Sequence, residues 1–148
     1  MIILDVNVLV GAYRSEISYH QAMKGWLTNA LAGPEPIGLA GVAVAGFARI
    51  VTSRRLFSLP ASADQAMDFV AAIRRHRHVV SVHPSRRHLD VFEELCRRTR
   101  ATGNLVPDAY LAAIALETGS TIASADSDFR SFAGVRWINP LSRSAKKA

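Results

Sequence analysis

The sequence predicts an α/β fold: a central parallel sheet flanked by helices. Two observations carry that expectation. Short apolar or β-branched runs at Met1–Leu4, Ile37–Leu39, Val79–Val82, Thr121–Ser124 and Val135–Ile138 have the length and composition of strands. Helical apolar periodicity fills most of the intervals, so successive strands are joined by crossovers, and such connections produce parallel sheets covered on both faces. At 148 residues the chain fits one domain, Met1 to Leu141, followed by a short basic tail, Ser142 to Ala148.

The first strand ends in a carboxylate, Asp5, and a short helix follows over Asn7–Tyr13. Ser18 is placed to cap a longer helix whose apolar stripe is Ala22, Trp26, Leu27, Ala30 and Leu31, and which Gly33 and Pro34 stop. Ile37–Leu39 leads into a helix from about Val42 to Thr52. Pro60 and Ser62 open another, with Ala66, Phe69, Val70 and Ile73 on its inner face. After the strand closed by Pro84 comes a helix carrying Leu89, Phe92, Leu95 and Cys96, expected to end near Gly103. Pro107 suits the first turn of the next, where Tyr110, Leu111, Ile114 and Ala115 face inward and Gly119 ends it. A short helix over Phe129–Phe132 precedes the last strand.

Composition narrows the function classes. Hydrophobic residues make up 49% and charged residues 20%, and mean hydropathy is +0.13, values of a globular chain. The single cysteine, Cys96, can form no internal disulfide. The longest uncharged apolar run, Gly38–Ala48, is far short of the roughly 20 residues that span a bilayer, and no basic segment precedes the first apolar run, so a cytoplasmic protein is expected. A formal charge of +6, with arginine dominating and only Lys24, Lys146 and Lys147 as lysines, makes polyanions natural partners.

The carboxylates point to the chemistry. In open parallel sheets active groups collect at the carboxyl ends of strands. Asp5 follows the first strand, Asp126 and Asp128 follow a late one, and Asp108 opens a helix that starts at the same edge. Each has a plainer reading: Asp108 suits a helix dipole, and Asp126 or Asp128 can cap a short helix. Together they need a counter-charge, since two carboxylates about 4 Å apart repel by roughly 4 kcal/mol at an effective dielectric near 20. Four oxygen donors without Cys or His favour Mg²⁺ or Mn²⁺ over Zn²⁺. An acidic metal site on a basic chain points to metal-assisted phosphodiester hydrolysis.

Three segments in this order, Ile3-Leu4-Asp5-Val6-Asn7-Val8-Leu9, Asn104-Leu105-Val106-Pro107-Asp108-Ala109 and Ser124-Ala125-Asp126-Ser127-Asp128-Phe129, resemble the PIN-domain ribonucleases, specifically the VapC-type toxins of bacterial toxin–antitoxin pairs. The closing Trp137-Ile138-Asn139-Pro140-Leu141 is similar to the same group, and the likeness runs from Met1 to about Leu141. The resemblance implies a single PIN-like α/β/α domain in which Asp5, Asp108 and Asp126 bind Mg²⁺ or Mn²⁺, with Asp128 completing or tuning the site and Asn7 holding a ligand or a water. It further implies endonucleolytic cleavage of RNA, often tRNA or rRNA, leaving 5′-phosphate and 3′-hydroxyl ends, inhibition by a cognate VapB antitoxin, and a homodimer. One position departs from the pattern. The family places a glutamate in the helix after the second strand, where this chain has Gly46, as one branch of the toxins does, and no acidic residue lies between Pro36 and Ala63. Weaker binding of a second metal is the expected consequence, and Gly46→Glu is expected to tighten Mn²⁺ binding if the helix accepts it.

Arginines at 49, 54 and 55, at 74, 75 and 77, and at 97, 98 and 100 are candidate grips on the RNA backbone, against the plainer reading of solvated faces. His76, His78, His83 and His88 lack a regular ligand spacing and read as surface residues. Trp26 and Phe92 read as core or dimer packing. Two other readings compete. Receiver domains and haloacid-dehalogenase-like phosphatases also gather aspartates at this sheet edge, but both usually add a lysine, and none lies between Lys24 and Lys146. A PIN-like module that binds RNA or antitoxin without cutting is supported by Gly46 and opposed by the four aspartates.

Overall fold

The computed structural model describes residues 1–142, so the tail expected to follow Leu141 lies, from residue 143 onward, outside the described residues. Twelve elements run β1 (Ile2–Leu4), α1 (Val6–Tyr13), α2 (His20–Ala32), β2 (Ile37–Ala40), α3 (Gly41–Val51), α4 (Ala63–Arg74), β3 (Val79–Val82), α5 (His88–Thr99), α6 (Leu105–Thr118), β4 (Thr121–Ala123), a 3₁₀ helix (Ser127–Ser131) and β5 (Arg136–Ile138). All strand pairings are parallel, in the order β3-β2-β1-β4-β5. Ile2 and Ile3 pair with Ile37 and Gly38 on one side and with Thr121 and Ile122 on the other. The order reverses between β1 and β4, and that switch point leaves a crevice at the carboxyl ends of these two strands.

The sheet separates two cores. Val8, Leu9, Met23, Phe47, Val51 and Ile73, from α1 to α4, pack on one face. Leu95, Leu111, Ile114, Ile122, Phe129 and Phe132, centred on α5 and α6, fill the other. α6 is apolar nearly all round because it is buried between the sheet and its neighbours, at Ala109 and from Leu111 through Ala115. Among the described residues no helix is long and apolar enough to cross a membrane.

Most expected boundaries hold within two residues, and the exceptions have local causes. Ser18 caps nothing: α2 begins at His20 after a turn, and its start is fixed instead by the buried His20 ring, whose Nδ1 lies 2.9 Å from the Gly11 carbonyl oxygen. Ser62 does cap α4, in a reciprocal box with Gln65. α5 ends three residues before Gly103 is reached, because Arg100 itself takes the left-handed conformation at φ 51°. Leu89, apolar as it is, is 70% exposed, while His88, expected at the surface, is 2% exposed. The two exchange places because His88 has a buried partner: its Nδ1 lies 2.8 Å from Glu117 Oε2 in the last turn of α6, and its ring packs against Phe92 and Tyr110. His76 and His83 are exposed as expected.

Candidate metal centre

Asp5 ends β1 and caps α1. Its backbone is extended (φ −81°, ψ 162°), the conformation that lets an N-cap side chain turn back onto the first N–H groups. Oδ1 accepts the Val6 N–H at 2.7 Å, and Oδ2 accepts from Asn7 Nδ2 at 2.6 Å and from Ser124 Oγ at 2.7 Å. The residue is 5% exposed. Burial pushes its pKa above the ordinary carboxylate value against the pull of the Ser124 and Val6 donors, and the Asp126 charge adds to the rise.

Ser124 follows β4 and is wholly buried. Besides donating to Asp5, its Oγ accepts from Asn7 Nδ2 at 2.7 Å and from the Asp126 N–H at 2.9 Å. Asn7 Oδ1 accepts the Ala125 N–H at 3.0 Å. Asn7 and Ser124 therefore tie the first turn of α1 to the loop after β4, across the switch point. Asp126 caps the 3₁₀ helix, accepting the Asp128 N–H at 2.9 Å, so its plainer role and its place in the site coexist.

Asp108 enters from the first turn of α6 and is half-buried. One carboxylate oxygen from each of Asp108, Asp126 and Asp128 lies within 4.8 Å of the others, which is a separation that one cation can bridge. Burial pushes the Asp108 carboxyl up to about 7, and the charges of Asp5, Asp126 and Asp128 push the same way. This electrostatic conflict is what a bound cation relieves. Three oxygen donors with no imidazole or thiolate among them suit a hard divalent ion, Mg²⁺ or Mn²⁺.

The structure thus gathers Asp108, Asp126 and Asp128. Asp5 lies outside that set, with both carboxylate oxygens hydrogen-bonded, and acts on Asp108 and Asp126 through its charge. Sequence reasoning missed Ser124, which it took as the end of a strand. A polar residue closing an apolar strand two positions before an aspartate was the available signal.

Gly46 has a packing reason of its own. A Cβ there would sit 2.7 Å from Val6 Cγ2, so the glycine allows α3 to approach the start of α1 directly behind Asp5. Of the candidate RNA grips, Arg97 and Arg98 are held in ion pairs by Glu93 and Glu94 one turn earlier, while Arg49, Arg54, Arg55, Arg74, Arg75 and Arg77 are exposed. Trp26, read as core, is half-buried and lines a groove described below.

Comparison with known proteins identifies the family. The PIN domain family model matches residues 2–135. Ribonuclease VapC25 of Mycobacterium tuberculosis is 38% identical over 140 residues, covering 95% of this chain and 99% of that protein. Ribonuclease VapC43 of the same organism is 40% identical over 141 residues, covering 95% and 96%. Among solved structures, VapBC2 from Rickettsia felis bound to a promoter DNA fragment is similar with a TM-score of 0.68 at 16% identity, covering 94% of this chain and 98% of that one. VapC20 of Mycobacterium tuberculosis, described as a sarcin-ricin loop cleaving toxin, has a TM-score of 0.66 at 18% identity, covering 91% and 96%. At such identities these two show the fold alone. The chain belongs to the PIN-domain family, and its relatives there are VapC ribonucleases.

Proposed function

We propose that this protein is a Mg²⁺- or Mn²⁺-dependent endoribonuclease that acts as the toxin of a VapBC-type pair. The observation that carries the reading is the three-carboxylate set at the β1/β4 switch point, backed by the buried Asp5, on a chain of net charge +6. The metal ligands are Asp5, whose Oδ1 accepts one hydrogen bond and keeps a lone pair, Asp108 and Asp126, with Asp128, beside the last two, completing the site. When bound, the cation supplies a more acidic water and offsets charge developing on the phosphate. The chain's own residues do the rest. Asn7 and Ser124 keep the carboxylates in register, and the exposed Asp126 and Asp128 accept hydrogen bonds from the water that attacks the phosphodiester in line. The exposed arginines after α3 and at the end of α4 bind the RNA backbone, which sets affinity without sequence.

The relatives named VapC and the VapBC complexes among the structural neighbours support a VapB-type antitoxin as partner. That partner places an arginine or aromatic side chain in the acidic crevice, and the toxin is a homodimer. tRNA or rRNA is the substrate class. Purified protein is expected to cut RNA with Mg²⁺ or Mn²⁺, to stop with EDTA, and to lose cutting in Asp108→Asn or Asp126→Asn. Intact RNA under all these conditions would favour a PIN-like module that binds without cleaving.

A further inference from the structure

A groove of about 1010 Å³ that the nuclease reading does not use runs between α2 and β5, from Ile2 and Glu35 at the amino end of the sheet to Arg130 and Asn139. Its walls are one face of α2, with Gln21, Trp26 and Asn29, and the edge strand β5, with Trp137. Arg130 completes it, with its guanidinium 4.9 Å from the centre of the Trp137 ring. We propose that this groove binds an unpaired stretch of RNA next to the scissile phosphate, its bases stacking on Trp26 and Trp137 and its backbone meeting Arg130. The proposal rests on the nuclease reading and names how that enzyme holds its substrate.

Three features favour RNA as the occupant. The first is continuity with the metal centre. Trp137 Nε1 donates to the Ser124 carbonyl oxygen at 2.9 Å, and Ser124 is the residue that holds Asp5 and the Asp126 N–H. Arg130 and Asp128 share one 3₁₀ helix of five residues, so the wall of the groove and the acidic cluster are built on the same short segment. The second is charge. Among the described lining residues Glu35 is the single carboxylate and is paired with the amino terminus, which leaves Arg130 as the groove's uncompensated charge. The third is the kind of surface: half-buried indole rings with a cation over one of them, flanked by amide side chains. Indole faces stack any base, and amides match base edges.

Both tryptophans of the chain line this groove, so their emission reports on its occupation, and the Gly25 variants separate that from binding at the metal centre. The full-length protein, held in EDTA to prevent cutting, is titrated with a single-stranded RNA of about eight nucleotides. Saturable quenching that parallels the anisotropy of labelled RNA is expected. Gly25 lines the same wall, and a Cβ on it meets nothing within 4 Å, so it offers a variant that spares the fold. Gly25→Glu should weaken RNA binding at least about tenfold, the equivalent of one lost stacking contact, while Gly25→Ala binds as wild type. Arg130→Gln should also weaken binding and flatten its salt dependence. RNA binding without quenching, or equal binding by Gly25→Glu, would overturn the proposal. So would emission that changes with protein concentration alone, which would show a second copy in the groove, or quenching by a small protein partner but not by RNA. Failure of the nuclease reading looks different: RNA stays uncut by wild type in Mn²⁺ whatever the emission does.

Discussion

Proton competition at Asp108 should dominate metal binding. Its carboxyl is pushed up to about 7 from 3.8, so near neutral pH a cation must displace a proton from it. With that value the apparent affinity for Mn²⁺ falls about tenfold for each pH step below 7 and levels off above about 8, and binding at pH 7 releases about half a proton from this group. Isothermal titration in two buffers of different ionisation enthalpy measures both quantities. Asp108→Asn should bind more weakly and lose most of the pH dependence between 6 and 8. Stability carries the opposite sign. A carboxyl with a raised folded pKa contributes stability that is complete below its unfolded value of 3.8 and is lost as the pH climbs through about 7. The full effect would be about 4 kcal/mol, and partial exposure of Asp108 screens it to about 2 kcal/mol. Metal-free protein should therefore lose stability between pH 4 and 7, and Mn²⁺ should restore it. A Mn²⁺ affinity that is flat from pH 6 to 8 would refute the placement of Asp108 among like charges.

Three further outcomes follow from named contacts. Ser124→Ala removes hydrogen bonds to Asp5, Asn7 and the Asp126 N–H in a wholly buried position, and should cost about 3 kcal/mol in urea unfolding with an unchanged m-value; a loss under about 0.5 kcal/mol would show that these contacts are not formed. Gly46→Glu, expected from sequence to strengthen metal binding, should instead lower stability by about 1–3 kcal/mol as Val6 is displaced behind Asp5, and thermal melts together with Mn²⁺ titration separate the two outcomes. Glu117→Ala leaves the His88 ring buried without its partner and should cost about 2–3 kcal/mol, with RNA cleavage per folded molecule unchanged, since this pair lies at the far end of α6 from Asp108.

Local pattern and distant contact divide this protein between them. Period and punctuation along the chain were enough for the parallel α/β class, for the helix start at Ser62, and for the aspartates at strand ends, because strand length, helix stripe and cap chemistry act over a few residues. The expectation of an acidic site was legible for the same reason: Asp5, Asp108 and Asp126 each sit at an element end that parallel topology turns toward one edge. How the carboxylates come together was not legible. That depends on Ser124 and Asn7 bridging residues more than a hundred positions apart, which hold Asp5 in hydrogen bonds at the edge where Asp128 lies beside Asp108 and Asp126. The inversion of His88 and Leu89 has the same origin, since a partner in α6 overrides the local preference for apolar residues inside. Gly46 shows it once more: along the chain it reads as a missing ligand, and only the approach of Val6 reveals a residue kept small by a neighbouring helix.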